Sequence, residues 1–215
     1  MASKDHASSI WDAFYQDNPA LSASRSEIEQ AEAIMTAVLA SGLQILVCGN
    51  GGSAADSEHI AGELAKPCAL ARPLTSELRT ALSDSGDDGY LADNLQLGLP
   101  VLPLVSQAAL ITAIANDQGG DLIFAQQVVA YGREGDLLWS LSTSGNSRNT
   151  VHAARTARAM GLRTLAFTGS EGGELAELCE VTVRLPGAST PEIQTAHQRT
   201  YHALCLAIEA RWYAP

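Results

Sequence analysis

Residues 48–63 read CGNGGSAADSEHIAGE. The stretch follows LQILV, a run apolar enough for a buried strand, and its glycines suit a tight turn into a helix. Such a turn directs unpaired backbone N–H groups at an anion. The helix that follows should carry Asp56, Glu58, His59 and Glu63, where a dinucleotide-binding helix is apolar and small. Two readings compete: a nucleotide loop, or a phosphorylated-substrate site beside a metal.

Gly49-x-Gly51-x-x-Ala54 has the form G-x-G-x-x-G/A. That fingerprint also requires an acidic residue at the end of the next strand, about 20 residues on, to hold the ribose. LAKPCALARPL fills the interval without an acidic strand end, so nucleotide binding is set aside.

Outward from this stretch the chain alternates strand, turn and helix. Upstream, residues 8–42 predict a helical element, with Ser26 as a cap-like start and Gly42 as a stop. Downstream, a helix is expected over about 54–65. Residues 66–105 mix polar residues with Gly and Pro and read as a helix-and-loop insertion. SQAALITAIAN (106–116) and IFAQQVVAYG (123–132) predict helices. DLLWSLSTSGNS (136–147) predicts a strand running into a hydroxyl-rich turn. A helix ending at Gly161, the strand LRTLAFTGS, the short helix GGELAELC and the strand EVTVRLPG follow. Pro191 to Tyr213 predicts one long helix with Pro in its first turn. This order implies an α/β fold, a doubly wound parallel sheet flanked by helices, in a single domain over 1–215. Right-handed crossovers place the strand-end turns on one edge, where such sheets bind ligands.

A hydrophobic content of 46% and a charged content of 17% favour a folded globular chain over disorder. The net charge of −11, with no run of Lys or Arg, argues against nucleic acid or an anionic membrane as partner. No segment has the roughly 18 uninterrupted apolar residues of a membrane span. MASKDHASSIWDAF lacks the apolar core of a signal peptide. Cys48, Cys68, Cys179 and Cys205 form no C-x-x-C pair, so neither disulfides nor a thiolate zinc site is expected. These features fit a cytoplasmic protein.

Two turns suit phosphate: GNGGS (49–53), where Ser53 adds a hydroxyl, and STSGNS (142–147). The second carries Ser142, Thr143, Ser144 and Ser147, more hydroxyls than helix capping needs. His59 and Glu63 lie one turn apart on one helix face and offer half of a zinc site. The competing reading is a solvated face with a local ion pair. Near the C-terminus, Gln194 and His202 are eight residues apart, about 80° around a helix. His197 is a rival ligand or a supporting group. Spacing alone does not join the two ends of the chain.

In this order along the chain, CGNGGSAADSEHIAGEL, AIAND, STSGNSRNTVHAA and IQTAHQRTYHALCLAIE resemble the sugar-isomerase (SIS) domain family, and most of all its phosphoheptose isomerases. The resemblance runs in order along nearly the whole chain. It implies the SIS fold, with long N- and C-terminal helices, assembled as a homotetramer. It implies Zn2+ held by His59, Glu63, Gln194 and His202, with Glu63 and His202 as the catalytic acid/base pair. By the same resemblance Asn50, Gly51, Gly52, Asn116, Asp117, Ser142, Thr143, Ser144 and Ser147 contact a phosphorylated ketose, with Ser53 and Gln194 beside them, and Asp56 supports the site. Two departures stand out: a longer segment between Glu63 and Asn116, and no arginine shortly after Glu63, where Lys66 is the nearest cation. A seven-carbon substrate, sedoheptulose 7-phosphate, and an eight-carbon octulose 8-phosphate both remain open.

The chemistry implied is aldose–ketose isomerisation, a proton moved between adjacent carbons through an enediol. A carboxylate over those carbons is a suitable base. A zinc ion polarises the carbonyl. The alternative is a non-catalytic SIS module that binds a sugar phosphate or a protein partner. Members of that kind lack the glutamate and the last histidine, and both Glu63 and His202 are present here.

Overall fold

The computed structural model describes residues 2–214, with side chains over 6–214. The strands are β1 (Ile45–Gly49), β2 (Val101–Pro103), β3 (Leu137–Leu141), β4 (Arg163–Gly169) and β5 (Val181–Leu185). The helices are, in chain order, α1 (Ala2–Asp17), α2 (Arg25–Ala40), α3 (Gly52–Ala65), α4 (Ser76–Asp84), α5 (Tyr90–Asn94), α6 (Ala108–Asp117), α7 (Ala125–Tyr131), α8 (Arg148–Ala159), α9 (Gly173–Leu178) and α10 (Thr190–Tyr213).

All strand pairs are parallel, in the order β2-β1-β3-β4-β5. Successive side chains of a strand point to opposite faces. Ile45, Val47, Trp139 and Phe167 therefore enter one core cluster, and Leu46, Cys48, Leu138 and Ala166 the other. A sheet apolar on both faces needs helices on both. Trp11 of α1, Ile28 of α2, Ile60 of α3 and Tyr201 of α10 cover the first face. Val128 of α7, Val151 of α8 and Leu175 of α9 cover the second. The doubly wound parallel sheet expected from the sequence is the one observed.

The strand order reverses between β1 and β3, which are neighbours although β2 separates them in sequence. Open α/β sheets bind ligands at such a point, beyond the carboxyl ends of the strands. Gly49 is registered with Leu141, so the turns beginning at Asn50 and Ser142 leave the sheet side by side.

The helical element expected over 8–42 is two helices, α1 and α2, separated by a 3₁₀ turn over Pro19–Ser24, because proline cannot continue a helix. Two local expectations are corrected. Ser26 does not cap α2. Ser24 holds the N-cap position, and its hydroxyl donates to the Arg184 carbonyl. Within 66–105 lies a strand, β2, at the sheet edge. It is three residues long, ends on Pro103 and follows Pro100, too short to show an alternating pattern.

Between Pro73 and Gln96 the segment is a protruding helical hairpin. No side chain of α4 or α5 is buried. Its neck is the pairing of Pro73 with Gln96 and the hydrogen bond from Leu97 N to Arg72 O. The neck stands at the end of α3, where Gly98 passes so close that a Cβ would lie 2.4 Å from the Ala65 carbonyl oxygen.

Candidate active site and metal centre

At the sheet's switch point the two turns are joined by amides. Asn50 Nδ2 donates to Asn149 Oδ1, and Asn149 Nδ2 returns the bond to Asn50 Oδ1, both at 2.8 Å. Gly51 sits at φ 56°, which glycine adopts without strain. Ser53 is buried, and its carbonyl accepts from the Ser57 hydroxyl. In the second turn the Ser142 and Ser147 hydroxyls are 3.1 Å apart, and the Ser144 hydroxyl accepts from Asn146 N. Gly145 is at φ 66° and packs so tightly that a Cβ would meet the backbone of Gly172. Ser142 is buried, Thr143 and Ser147 are half-buried, and Ser144 is exposed. These turns open α3 and α8, whose first amides have no partner within their own helix.

The second centre lies farther along α3. His59 Nε2 is 3.2 Å from Glu63 Oε1, as the one-turn spacing requires. His202 of α10 brings its Nε2 to 3.3 Å from His59 Nε2. One donor atom from each of His59, Glu63 and His202 lies within 4.8 Å of the other two. The His59 side chain is 42% exposed, so the cluster opens to solvent.

This meeting follows from how α3 and α10 pack. Gln194 rests on Gly52, where a Cβ would come within 2.5 Å of its Nε2, while His202 meets His59. Both chains ascend together, so the two helices run in the same direction. Gly52 and His59 are seven residues apart, about 10 Å along the axis, which separates the glycine turn from the cluster.

Burial pushes the Glu63 carboxyl up. The Cys68 thiol, Lys66, His59 and His202 pull it down further, leaving it below the usual carboxylate range. Burial and then His59 hold His202 below the usual histidine range, against Glu63, the Gln198 carbonyl and Asp56. A carboxylate and two imidazoles converging in this way offer one oxygen and two nitrogen donors. That set fits a divalent metal of the zinc type, with room left for a further ligand.

Other predicted residues are placed as follows. Asn116 and Asp117 hydrogen-bond to each other at the exposed end of α6. His197 is outside the cluster: it is fully buried, and its Nε2 lies 3.1 Å from the Thr168 carbonyl oxygen. Asp56 accepts at 3.1 Å from the Tyr201 hydroxyl, which is also 3.1 Å from His59 Nδ1. Lys66 turns to the Pro67 carbonyl.

Sequence reasoning missed four contributors. Arg72, fully buried, donates to the carbonyls of Glu63 and Leu64 and to Glu209. Glu209 in turn accepts from the amides of Cys68, Ala69 and Leu70. Tyr201 and Asn149 complete the list. The Glu in the apolar run ALCLAIEAR was the one visible signal, since a lone carboxylate amid apolar residues needs a partner.

Comparison with known proteins fits this geometry. The family model of the SIS domain matches residues 18–87 and 87–169. The chain is 38% identical over 182 residues to a phosphoheptose isomerase of Rhodospirillum rubrum, covering 85% of this chain and 84% of that protein. It is 39% identical over 194 residues to a phosphoheptose isomerase of Akkermansia muciniphila, covering 90% of each. Among solved structures, the phosphoheptose isomerase of Francisella tularensis superposes with a TM-score of 0.72 at 30% identity, over 97% of this chain and 98% of that one. The phosphoheptose isomerase of Neisseria gonorrhoeae gives 0.71 at 30% identity, over 94% and 97%.

Proposed function

This chain belongs to the SIS domain family, and from that premise we propose that it is a phosphoheptose isomerase-like aldose–ketose isomerase acting on a ketose phosphate. The single observation that carries the reading is the convergence of His59, Glu63 and His202, one helical segment along from a glycine turn at the sheet's switch point.

The phosphate is assigned to the STSGNS turn, where Ser142, Thr143, Ser144 and Ser147 and the start of α8 supply donors. Asn50, Gly51, Gly52, Ser53, Gln194, Asn116 and Asp117 are assigned to the sugar. Remote binding of the phosphate fixes the reacting carbons in place. The Glu63 carboxylate takes the proton from one carbon and returns it to its neighbour, and the neutral ring of His202 moves a proton between the sugar oxygens. His59, Glu63 and His202 would hold Zn2+, with Gln194 as a fourth ligand once its side chain turns from Gly52. A bound zinc would supply Lewis-acid stabilisation of charge on those oxygens.

The same reading takes 1–215 as a single SIS domain, with 66–105 as an insertion within it. The reading includes assembly as a homotetramer; the exposed Leu78, Tyr90, Leu91 and Leu95 of the hairpin support a subunit contact there. A cytoplasmic location is supported by four free cysteines. Among the described residues no helix is long and apolar enough to cross a membrane.

The test is turnover of sedoheptulose 7-phosphate and of octulose 8-phosphate, with and without a chelator. Aldose formation from either ketose, lost on chelation and restored by zinc, is the expected result. No turnover of either ketose by zinc-loaded protein overturns the proposal.

A further inference from the structure

The Tyr201 hydroxyl is placed to decide which nitrogen of His59 carries the proton. A phenol at neutral pH has one proton to give and lone pairs with which to accept. Its neighbours here are Asp56 Oδ1 at 3.1 Å, His59 Nδ1 at 3.1 Å and the side chain of Gln198. An ionised carboxylate only accepts, so the phenol proton goes to Asp56. The oxygen can then meet His59 only as an acceptor, and Nδ1 must carry a hydrogen.

We infer that Tyr201, oriented by Asp56, is a positioning residue that holds His59 as its Nδ1–H tautomer and so leaves the lone pair on Nε2 facing Glu63 and His202. The consequence is local electrostatic conflict. The His59 Nε2 lone pair lies 3.2 Å from a carboxylate oxygen and 3.3 Å from His202 Nε2. The Gln198 carbonyl, one turn back on the same helix, favours a hydrogen on the His202 ring nitrogen turned away from His59, which leaves the facing Nε2 as an acceptor too. Three acceptors turned inward, with no hydrogen between them, are stabilised by a cation. Tyr201 would thus ready the metal-free protein for its ion, using a tyrosine where a carboxylate or carbonyl usually touches the ligand imidazole directly.

The inference rests on the cation-site reading, yet the tautomer is measurable without metal or substrate. The experiment is a long-range 1H–15N correlation spectrum of metal-free protein labelled at histidine nitrogen, at a pH where the rings are neutral. Wild type should show His59 protonated at Nδ1 and bare at Nε2. Tyr201→Phe removes the acceptor and should move His59 towards Nε2–H, with zinc affinity against a competing chelator falling about 10- to 100-fold. Asp56→Ala leaves Tyr201 in place but frees its proton to point at His59 Nδ1, and should shift the tautomer the same way. Asp56→Asn keeps an acceptor for the phenol and should hold the wild-type tautomer. Signals from the buried His197 report that each variant is folded, and Asp56→Ala carries the test if Tyr201→Phe is not. The inference is overturned if wild-type His59 is Nε2–H or doubly protonated, or if a folded Tyr201→Phe or Asp56→Ala protein keeps the wild-type tautomer. Absence of turnover by the zinc-loaded wild-type protein, with the tautomer as stated, would count against the isomerase reading and leave this one standing.

Discussion

Arg72 Nε donates to Glu209 Oε1 at 2.8 Å, with both side chains fully buried. The pair joins the end of α3, which carries Glu63, to the last helix of the chain. Arg72 also holds the carbonyls of Glu63 and Leu64, and Glu209 gathers three amides of the following loop. Removing one partner leaves a buried charge without compensation. Arg72→Leu should therefore cost roughly 3–5 kcal/mol of folding stability, read from urea unfolding. A loss below about 1 kcal/mol would show that the charges are relieved by solvent.

Glu63→Gln tests the base. The amide keeps the size of the side chain but accepts a proton poorly, so exchange of substrate hydrogen with solvent should fall by about 10²- to 10⁴-fold. Deuterium incorporation followed by mass spectrometry measures it, alongside an unchanged thermal midpoint for the metal-free protein. Exchange at the wild-type rate would remove Glu63 from the role.

Two glycines should respond in opposite ways. A Cβ at Gly145 would strike the Gly172 backbone and also require φ 66°, so Gly145→Ala should destabilise the protein by several kcal/mol, of order that for strained and overpacked sites. At Gly52 the obstacle is the far end of the Gln194 side chain, which can rotate away. Gly52→Ala should leave the thermal midpoint nearly unchanged and raise KM about tenfold, the loss of one hydrogen-bonding contact. Equal effects on stability would show that the two turns are packed alike.

His197 sets part of the acid sensitivity. Burial lowers its pKa from 6.5 to about 4, against the Thr168 carbonyl, which favours the charged ring. The unfolded chain thus binds a proton that the folded chain refuses, and stability falls as pH drops from about 6.5 to about 4. Between pH 7 and pH 5 the loss should be about 2 kcal/mol. His197→Gln, whose side chain does not titrate, should be less stable at pH 7 but flatter over that interval in urea unfolding. A variant as steep as wild type would place the acid sensitivity elsewhere.

Much of the candidate site was legible because its parts are local. His59 and Glu63 share a face by helix periodicity alone. The hydroxyls of STSGNS and the glycines of GNGGS follow buried strands directly, where a turn into a helix must come. Ser26 misled because its local pattern suits a cap, whereas the 3₁₀ turn ahead of it moves the helix start to Arg25. β2 escaped because three residues bounded by prolines carry no period, and its place at the sheet edge comes from pairing with β1.

The sequence by itself determined the alternation of strand and helix, the two anion-suited turns, and a His–Glu pair on one helix face. Each is set by a repeat or a turn signal within a few residues. Tertiary structure decided which distant groups complete them. His202 reaches His59 across 143 residues, Tyr201 reaches the same ring across 142, and Glu209 reaches Arg72 across 137. Those meetings depend on α3 and α10 lying side by side and running in the same direction on one face of the sheet. That arrangement is fixed by burial of both apolar stripes in a common core, which no local pattern specifies.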